Sequence, residues 1–244
     1  MSGHSKWATI KHKKAATDAK RGQLFTKLIK EITIAARGGG NPDTNPRLRV
    51  AIERGKESSM PADNIDRAVK KGTGELEGVS YEDVTLEGYG TSGVAIYIEA
   101  VSDNKNRTTS EVRTIFQKSG GNMAGAGSVS WIFDKKGYIV ISKKTIEEDK
   151  LMGIVLDAGA EDMVVEDENY AVTTAPQDFL KVRKALEDKG IKMESSELDL
   201  IPKNTIKVTG EEAKKILGLV EALEEHEDVQ HVYANFDLPD ELLK

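Results

Sequence analysis

The sequence predicts a multidomain α+β protein: an N-terminal helical domain followed by two ferredoxin-like α/β domains, one inserted into the other. Three observations predict it. Apolar residues recur every three to four positions from residue 17 to about 70, behind a loose basic N-terminus, and alternate in short runs after residue 80. Residues 135–204 read as a complete β-α-β-β-α-β run, the ferredoxin-like order. Two β-α-β halves, 94–134 and 205–244, flank that run, and each lacks a partner nearby in sequence. The expected domains are therefore 1–78, 79–134 plus 205–244, and 135–204, with 94–101 sharing a sheet with 229–236.

The elements follow in order. Leu24, Phe25, Leu28, Ile29, Ile32 and Ala36 share one face of a helix over 17–38, and Lys20, Gln23, Lys27, Lys30 and Arg37 share another. The helix thus has an apolar side for a core and a basic side for water or phosphate, and Gly38-Gly39-Gly40 ends it. Asn45 caps a second helix with Pro46 at its first position. A third starts near Met60-Pro61, buries Ile65, Ala68 and Val69, and stops at Lys70-Lys71-Gly72. Then TLEGYG and VAIYIEAV read as strands, 105–119 as a helix, GGNMAGAG as a loop and SVSWIF as a strand. GYIVIS opens the inserted run, and Thr145 with Glu148 forms a capping box for its first helix. DMVVE and YAVTT are strands, Phe179, Val182 and Leu186 mark a helix, and SELDLI closes the run. The last 40 residues add TIKVT, a helix burying Ala213, Ile216, Leu217 and Val220, and VQHVYANF.

Charge is divided unevenly along the 244 residues, whose formal net is −6. Residues 1–75 carry 16 Lys and Arg against 8 Asp and Glu, whereas the remainder carries 19 against 33. Such a split suits a polyanion-facing part joined to a part that the same partner repels. The basic excess is densest in residues 1–30, where Lys6, Lys11, Lys13, Lys14, Lys20, Arg21, Lys27 and Lys30 stand against Asp18 alone. Trp7 and His12 lie among them. Ammonium groups displace condensed counterions and rings stack on bases, so this stretch is the candidate nucleic-acid contact; a solvated terminus has the same composition. Arg107, in DNKNRTTSEVR, is a second candidate phosphate contact, though Asp103 and Asn104 there also suit a plain helix cap.

Other chemistry finds little support. No apolar run reaches the roughly 20 residues a membrane span needs, and the N-terminus has no secretory h-region. The absence of cysteine removes disulfides, thiol catalysis and Cys-based zinc sites and fits a cytoplasmic protein. GYGTSG matches G-x-G-x-x-G but precedes a strand where the dinucleotide fingerprint needs a helix, so it reads as a hairpin or loop. His226 and His231 lack metalloprotease spacing, and there is no G-x-S-x-G elbow. The expectation is a non-enzyme with no catalytic residues, no cofactor, no metal, no membrane association and no small-molecule substrate. The sequence leaves the oligomeric state open, with a monomer favoured.

The segments SKWATIKHKKAATDAKRGQLFTKL, GGGNPDTNPRLRVAIERGKESSMPADNIDRAVKKGTG and EGYGTSGVAIYIEAVSDNKNRTTSEVRTIFQKSGGNMAGAGSVSWIFDKKG closely resemble the YebC/PmpR family of probable transcriptional regulatory proteins. The mitochondrial translational activator of cytochrome c oxidase subunit I is a relative. The resemblance is dense from Ser2 to about Gly137 and looser beyond. It implies three domains and a cytoplasmic regulator without cofactor. Its basic run falls on Lys6, Trp7, Lys11, His12, Lys13, Lys14, Lys20 and Arg21, and its polar loop on Asp103, Asn104, Asn106, Arg107 and Thr108. Its glycine-rich segment falls on Gly120, Gly121 and Asn122. Thr9, Asn41, Ser59 and Thr91-Ser92 depart from the common pattern without removing a basic residue.

Two functions follow from this resemblance. One is a DNA-binding transcriptional regulator. The alternative is a ribosome-associated translation factor that contacts rRNA or tRNA and relieves stalling at proline runs. Lysine outnumbers arginine seven to one in residues 1–30. That favours backbone contact over bidentate guanine reading. The sequence carries neither a complete recognition helix nor an RRM-type aromatic sheet motif.

Overall fold

The computed structural model describes residues 18–166 and 168–238, with side chains from residue 22 onward. The chain forms two compact units. One comprises the described part of Ala15–Ser130 with Gly210–Tyr233; the other comprises the described parts of Trp131–Thr209 and Ala234–Lys244.

The first unit begins with three helices: α1 (Asp18–Ala36), α2 (Pro46–Glu57) and α3 (Ala62–Thr73). They enclose Leu28, Ile32, Leu48, Ala51, Ile65 and Ala68. Asn45 caps α2 through a hydrogen bond accepted from Leu48 N, and its amide donates to Ala35 O and Gly39 O, tying the end of α1 to the start of α2. Gly72 does not stop α3, which runs on to Thr73. Its role is close packing: a Cβ there would lie 2.2 Å from Thr33 O and 2.5 Å from Ala36 Cβ.

After the helices come β1 (Glu82–Tyr89), β2 (Ala95–Ser102), α4 (Lys105–Lys118) and β3 (Asn122–Ala124). Strands β1 and β2 pair as an antiparallel hairpin across GYGTSG, and β1 pairs with β3 on its other edge. The second unit supplies β4 (Phe133–Ser142), α5 (Glu148–Ala158), β5 (Ala160–Val165), β6 (Asn169–Thr174), α6 (Phe179–Asp188) and β7 (Ser195–Pro202). The chain ends with β8 (Ile206–Lys207), α7 (Gly210–Glu224), β9 (Val229–Ala234) and β10 (Phe236–Asp237).

The sheet of the first unit has the order β3-β1-β2-β9. In a ferredoxin-like sheet the strands lie in the order second, third, first, fourth. Here β3, β2 and β9 take the second, first and fourth places, and β1 fills the third. Helices α4 and α7 cover one face: a Cβ on Gly88 would meet Phe116 at 2.6 Å, and one on Gly90 would meet Ile216 at 2.5 Å. The sequence expected TIKVT in the third place. Instead β8 pairs in parallel with β10 as a separate ribbon, and β1 occupies the place between β3 and β2 that TIKVT would need.

SVSWIF is not a strand of this sheet. Ser130–Ile132 is a 3-10 turn, and Phe133 opens β4, which continues through GYIVIS. The strand instead lies inside the glycine-rich segment, as β3. In the second unit the order is β5-β6-β4-β7, all antiparallel, the ferredoxin-like arrangement in full. Ile139, Ile141, Leu151, Val155, Val172 and Leu186 form its core. Thr145 does not cap α5: its N–H closes a turn onto Ser142 O, and the helix starts at Glu148 without a side-chain cap. In α7 the inward leucine is Leu219, with Leu217 only partly buried.

Candidate nucleic-acid interface

Lys6, Trp7, Lys11, His12, Lys13 and Lys14 lie outside the described residues, and Lys20 and Arg21 are described in backbone only, in the first turn of α1. Of the expected contact residues, Lys27, Lys30 and Arg107 are seen in full.

Two lysines on the basic side of α1 turn inward. Lys30 is 7% exposed; its Nζ donates to Asp228 Oδ1 at 2.5 Å and to Glu227 O at 3.2 Å. Lys27 Nζ donates to Glu224 O at 2.6 Å. The helical pattern could not show this, because the acceptors lie about 200 residues later in the chain. Arg107 bridges Asp103 Oδ1 at 2.8 Å and Asp228 Oδ2 at 2.9 Å. Asn104 caps α4 by accepting from Arg107 N, so this polar loop builds a helix start around an internal ion pair.

Asp228 is the centre of that network. It is fully buried, and it also accepts from Thr108 Oγ1 at 2.6 Å and Ser102 Oγ at 3.3 Å. Burial pushes its carboxyl up, but hydrogen bonds from Lys30, Thr108 and Arg107, with the Lys30 charge, more than offset this. The carboxyl is held well below the usual carboxylate range. Helix α1, strand β2, helix α4 and the turn before β9 are thereby pinned to one anionic point.

A second buried carboxylate shapes the glycine-rich segment. Glu87 is 4% exposed. It accepts from the backbone N–H of Gly127 at 2.7 Å, Val129 at 2.6 Å and Ser130 at 3.1 Å. Tyr89 Oη donates to Ser128 O. Burial raises the Glu87 carboxyl, and these backbone donors lower it further than burial raises it. Amides that could cradle a phosphate are thus already turned onto an internal anion.

Two features escaped the sequence analysis. Along β2, Ile96 and Ile98 are fully buried, which places Tyr97 on the opposite face of the sheet. There its ring centroid is 6.2 Å from that of Tyr233 in β9, and Tyr233 stacks on His231 at 6.0 Å with 21° between planes. Beside His231 runs a groove of about 220 Å³ between α1, the end of α2 and β9, lined by Lys27, Glu31, Arg54, Glu57 and Gln230 among others. Alternation in VAIYIEAV and VQHVYANF hints at the ring placement, but only the pairing of β2 with β9 brings the rings together. Among the described residues no group of three His, Asp or Glu is placed to hold a metal ion, and no helix is long and apolar enough to cross a membrane.

Comparison with known proteins accounts for both parts of the chain. Residues 5–75 match the model described as TACO1/YebC protein N-terminal domain, and residues 81–236 match the TACO1/YebC second and third domain. A protein of Dictyoglomus turgidum named "Probable transcriptional regulatory protein" is 56% identical over 246 residues, covering 100% of this chain and 99% of that one. One of Geobacter sulfurreducens with the same designation is 56% identical over 242 residues, covering 99% and 98%. The crystal structure of a conserved hypothetical protein from Aquifex aeolicus superposes with a TM-score of 0.84 at 46% identity, covering 94% of this chain and 96% of that one. With matches of this extent at both the sequence and the fold level, the chain belongs to the TACO1/YebC family.

Proposed function

We propose that this protein is a nucleic-acid-binding regulator of gene expression, acting in the cytoplasm without catalysis, and that its basic N-terminal segment makes the polyanion contact. The charge division carries the reading: 16 basic against 8 acidic residues in positions 1–75, reversed to 19 against 33 afterwards. The relatives' designation as probable transcriptional regulators supports duplex DNA as the ligand. Internal pairing of Lys30 and Arg107 moves the weight of that contact onto Lys6, Lys11, Lys13, Lys14, Lys20 and Arg21, with Trp7 and His12 among them.

The preponderance of lysine favours a second reading, contact with the RNA backbone of ribosomes, since lysine is a point charge without arginine's base-reading fork. One experiment tests both: binding of the full chain to a promoter duplex and its co-sedimentation with ribosomes, each over a range of salt, beside Lys11/Lys13/Lys14→Glu. Sequence-dependent duplex binding selects the transcriptional reading; ribosome binding lost in the variant selects the other. Whichever ligand binds, loss of three phosphate contacts lowers the salt slope by about 3. Binding to neither, even at low salt, refutes the nucleic-acid reading.

A further inference from the structure

We propose that the free edge of β5 takes up, as an added strand, an extended segment of a partner protein that has apolar residues at its centre and lysine or arginine on either side. The proposal stands apart from the nucleic-acid reading, because it concerns another part of the chain and a protein ligand.

Backbone hydrogen bonding comes first. Strand β5 lies at one end of the order β5-β6-β4-β7, so β6 is its only neighbour among the described strands. Glu166 N donates to Asn169 O, which makes those two a hydrogen-bonded pair at the turn. Such pairs alternate along an antiparallel ladder. The register sets Val165 opposite Tyr170, Val164 opposite Ala171 and Met163 opposite Val172. Val164 therefore bonds β6, whereas Met163 and Val165 turn their N–H and C=O groups away from it. Met163 N is held by Asp162 Oδ1 at 2.9 Å. Val165 N–H, Val165 C=O and Met163 C=O then form the template that an added strand needs.

Side chains hold that template in place. Met163 and Val165 pack, partly buried, against the helix-side core, and Val164 packs with Tyr138, Val140 and Ala171 on the other face. Little freedom is lost when a strand pairs there, and it finds apolar surface on both faces. Elsewhere the sheet guards its edges. A register shift between Ala160 and Asp162 bulges the start of β5, and the other edge strand, β7, carries Glu197 and Asp199 and ends at Pro202. Met163-Val164-Val165 has no bulge, charge or proline of its own.

Charge selects the occupant. Exposed Glu161 and Asp162 precede the apolar stretch and exposed Glu168 follows it. Lys136 pairs with Glu161 at 2.7 Å, but Lys144 comes only within 4.0 Å of Glu168. The last turn of α5, just before β5, contains Asp157 and no basic residue, so its negative dipole end also favours an arriving cation. A second copy fits poorly. Paired antiparallel about Val164, it sets Asp162 of each copy opposite Glu166 of the other, and like charges directly opposite destabilise a sheet. Lysine or arginine flanking an apolar centre meets the same places with opposite charge.

The test measures fluorescence anisotropy of the full chain with the labelled peptide Lys-Lys-Val-Ile-Val-Lys-Lys. The comparison peptide is N-methylated at every residue of the apolar centre, which keeps the charge and removes the strand's donors. The wild type binds the unmodified peptide at low salt and the N-methylated one at least about five-fold more weakly, the worth of one hydrogen bond. Val165→Pro deletes an outward N–H at an edge position, where proline is tolerated, and weakens the unmodified peptide by a like factor. Asp162→Asn keeps the acceptor for Met163 N and removes the charge, so affinity falls and depends less on salt. If melting curves show Val165→Pro to be unfolded, the two peptides on the wild type decide. Equal affinity for both peptides, or no binding at low salt, overturns the proposal. So does binding that appears only in Lys11/Lys13/Lys14→Glu, which assigns the edge to the chain's own basic segment. A dimer that is lost in Val165→Pro assigns the edge to a second copy and likewise overturns it.

Discussion

Replacing Asp228 with Asn removes the charge on which α1, β2, α4 and the turn before β9 converge. The side chain is fully buried, and its partner Lys30 is 7% exposed, so solvent does little to weaken the pair. The variant leaves the Lys30 ammonium without a counter-charge at 2.5 Å, and an amide presents only one oxygen to donors from Lys30, Thr108, Ser102 and Arg107. Breaking a buried pair by removing one partner costs about 3–5 kcal/mol. The Arg107 contact, 39% exposed on that side, adds little. For a unit of this size the loss lowers the melting midpoint by about 10 °C, at roughly 2–4 °C per kcal/mol.

Scanning calorimetry is the assay, because the two compact units can melt separately and only the transition containing α1 and β9 should move. The double variant Lys30→Met with Asp228→Asn removes the stranded ammonium and should recover much of the loss, a coupling that a double-mutant cycle measures. The pH dependence has a definite sign. The folded carboxyl is depressed, so its contribution is present above about pH 4, where the unfolded group ionises, and is lost as pH falls through the folded value. A cost below about 1 kcal/mol, the worth of an exposed pair, or strict additivity in the double variant, would refute the account of Asp228 as a buried charged hub.

Three further outcomes are expected. Glu87→Gln turns an amide onto the Gly127, Val129 or Ser130 N–H groups; it costs about 1–3 kcal/mol, read as faster hydrogen exchange at those amides. Because that carboxyl too is depressed, the gap between wild type and variant narrows as pH falls below about 4. Gly72→Ala improves helix propensity by about 1 kcal/mol, yet its Cβ would press on Thr33 O and Ala36. Overpacking of about 1–3 kcal/mol makes the net change destabilising in a urea melt. An unchanged or raised midpoint would mean that α1 and α3 separate there without cost.

Local signals reported the local structure well. The apolar stripe of α1, the Asn45-Pro46 start of α2, the GYGTSG hairpin and the β-α-β-β-α-β run of residues 135–204 all appear as read, because each depends on near neighbours or on period alone. Errors came where neighbours compete. Thr145 resembles a cap, but its backbone turns onto Ser142; Gly72 resembles a terminator, but it is the contact between two helices. SVSWIF alternates like a strand, but Ser130–Ile132 within it is a 3-10 turn and only Phe133 belongs to β4.

The sequence by itself determined the helical start, the two β-rich stretches, the polarity of the charge division and the family, since these are written in composition, period and motif. Only the tertiary structure decided which strand completes the β3-β1-β2-β9 sheet, that Lys30 turns inward to Asp228, and that Tyr97, Tyr233 and His231 gather beside a groove. Each of those depends on residues far apart in the chain. A buried charge or a ring stack has no sequence signature until strand pairing has set the distance between its members.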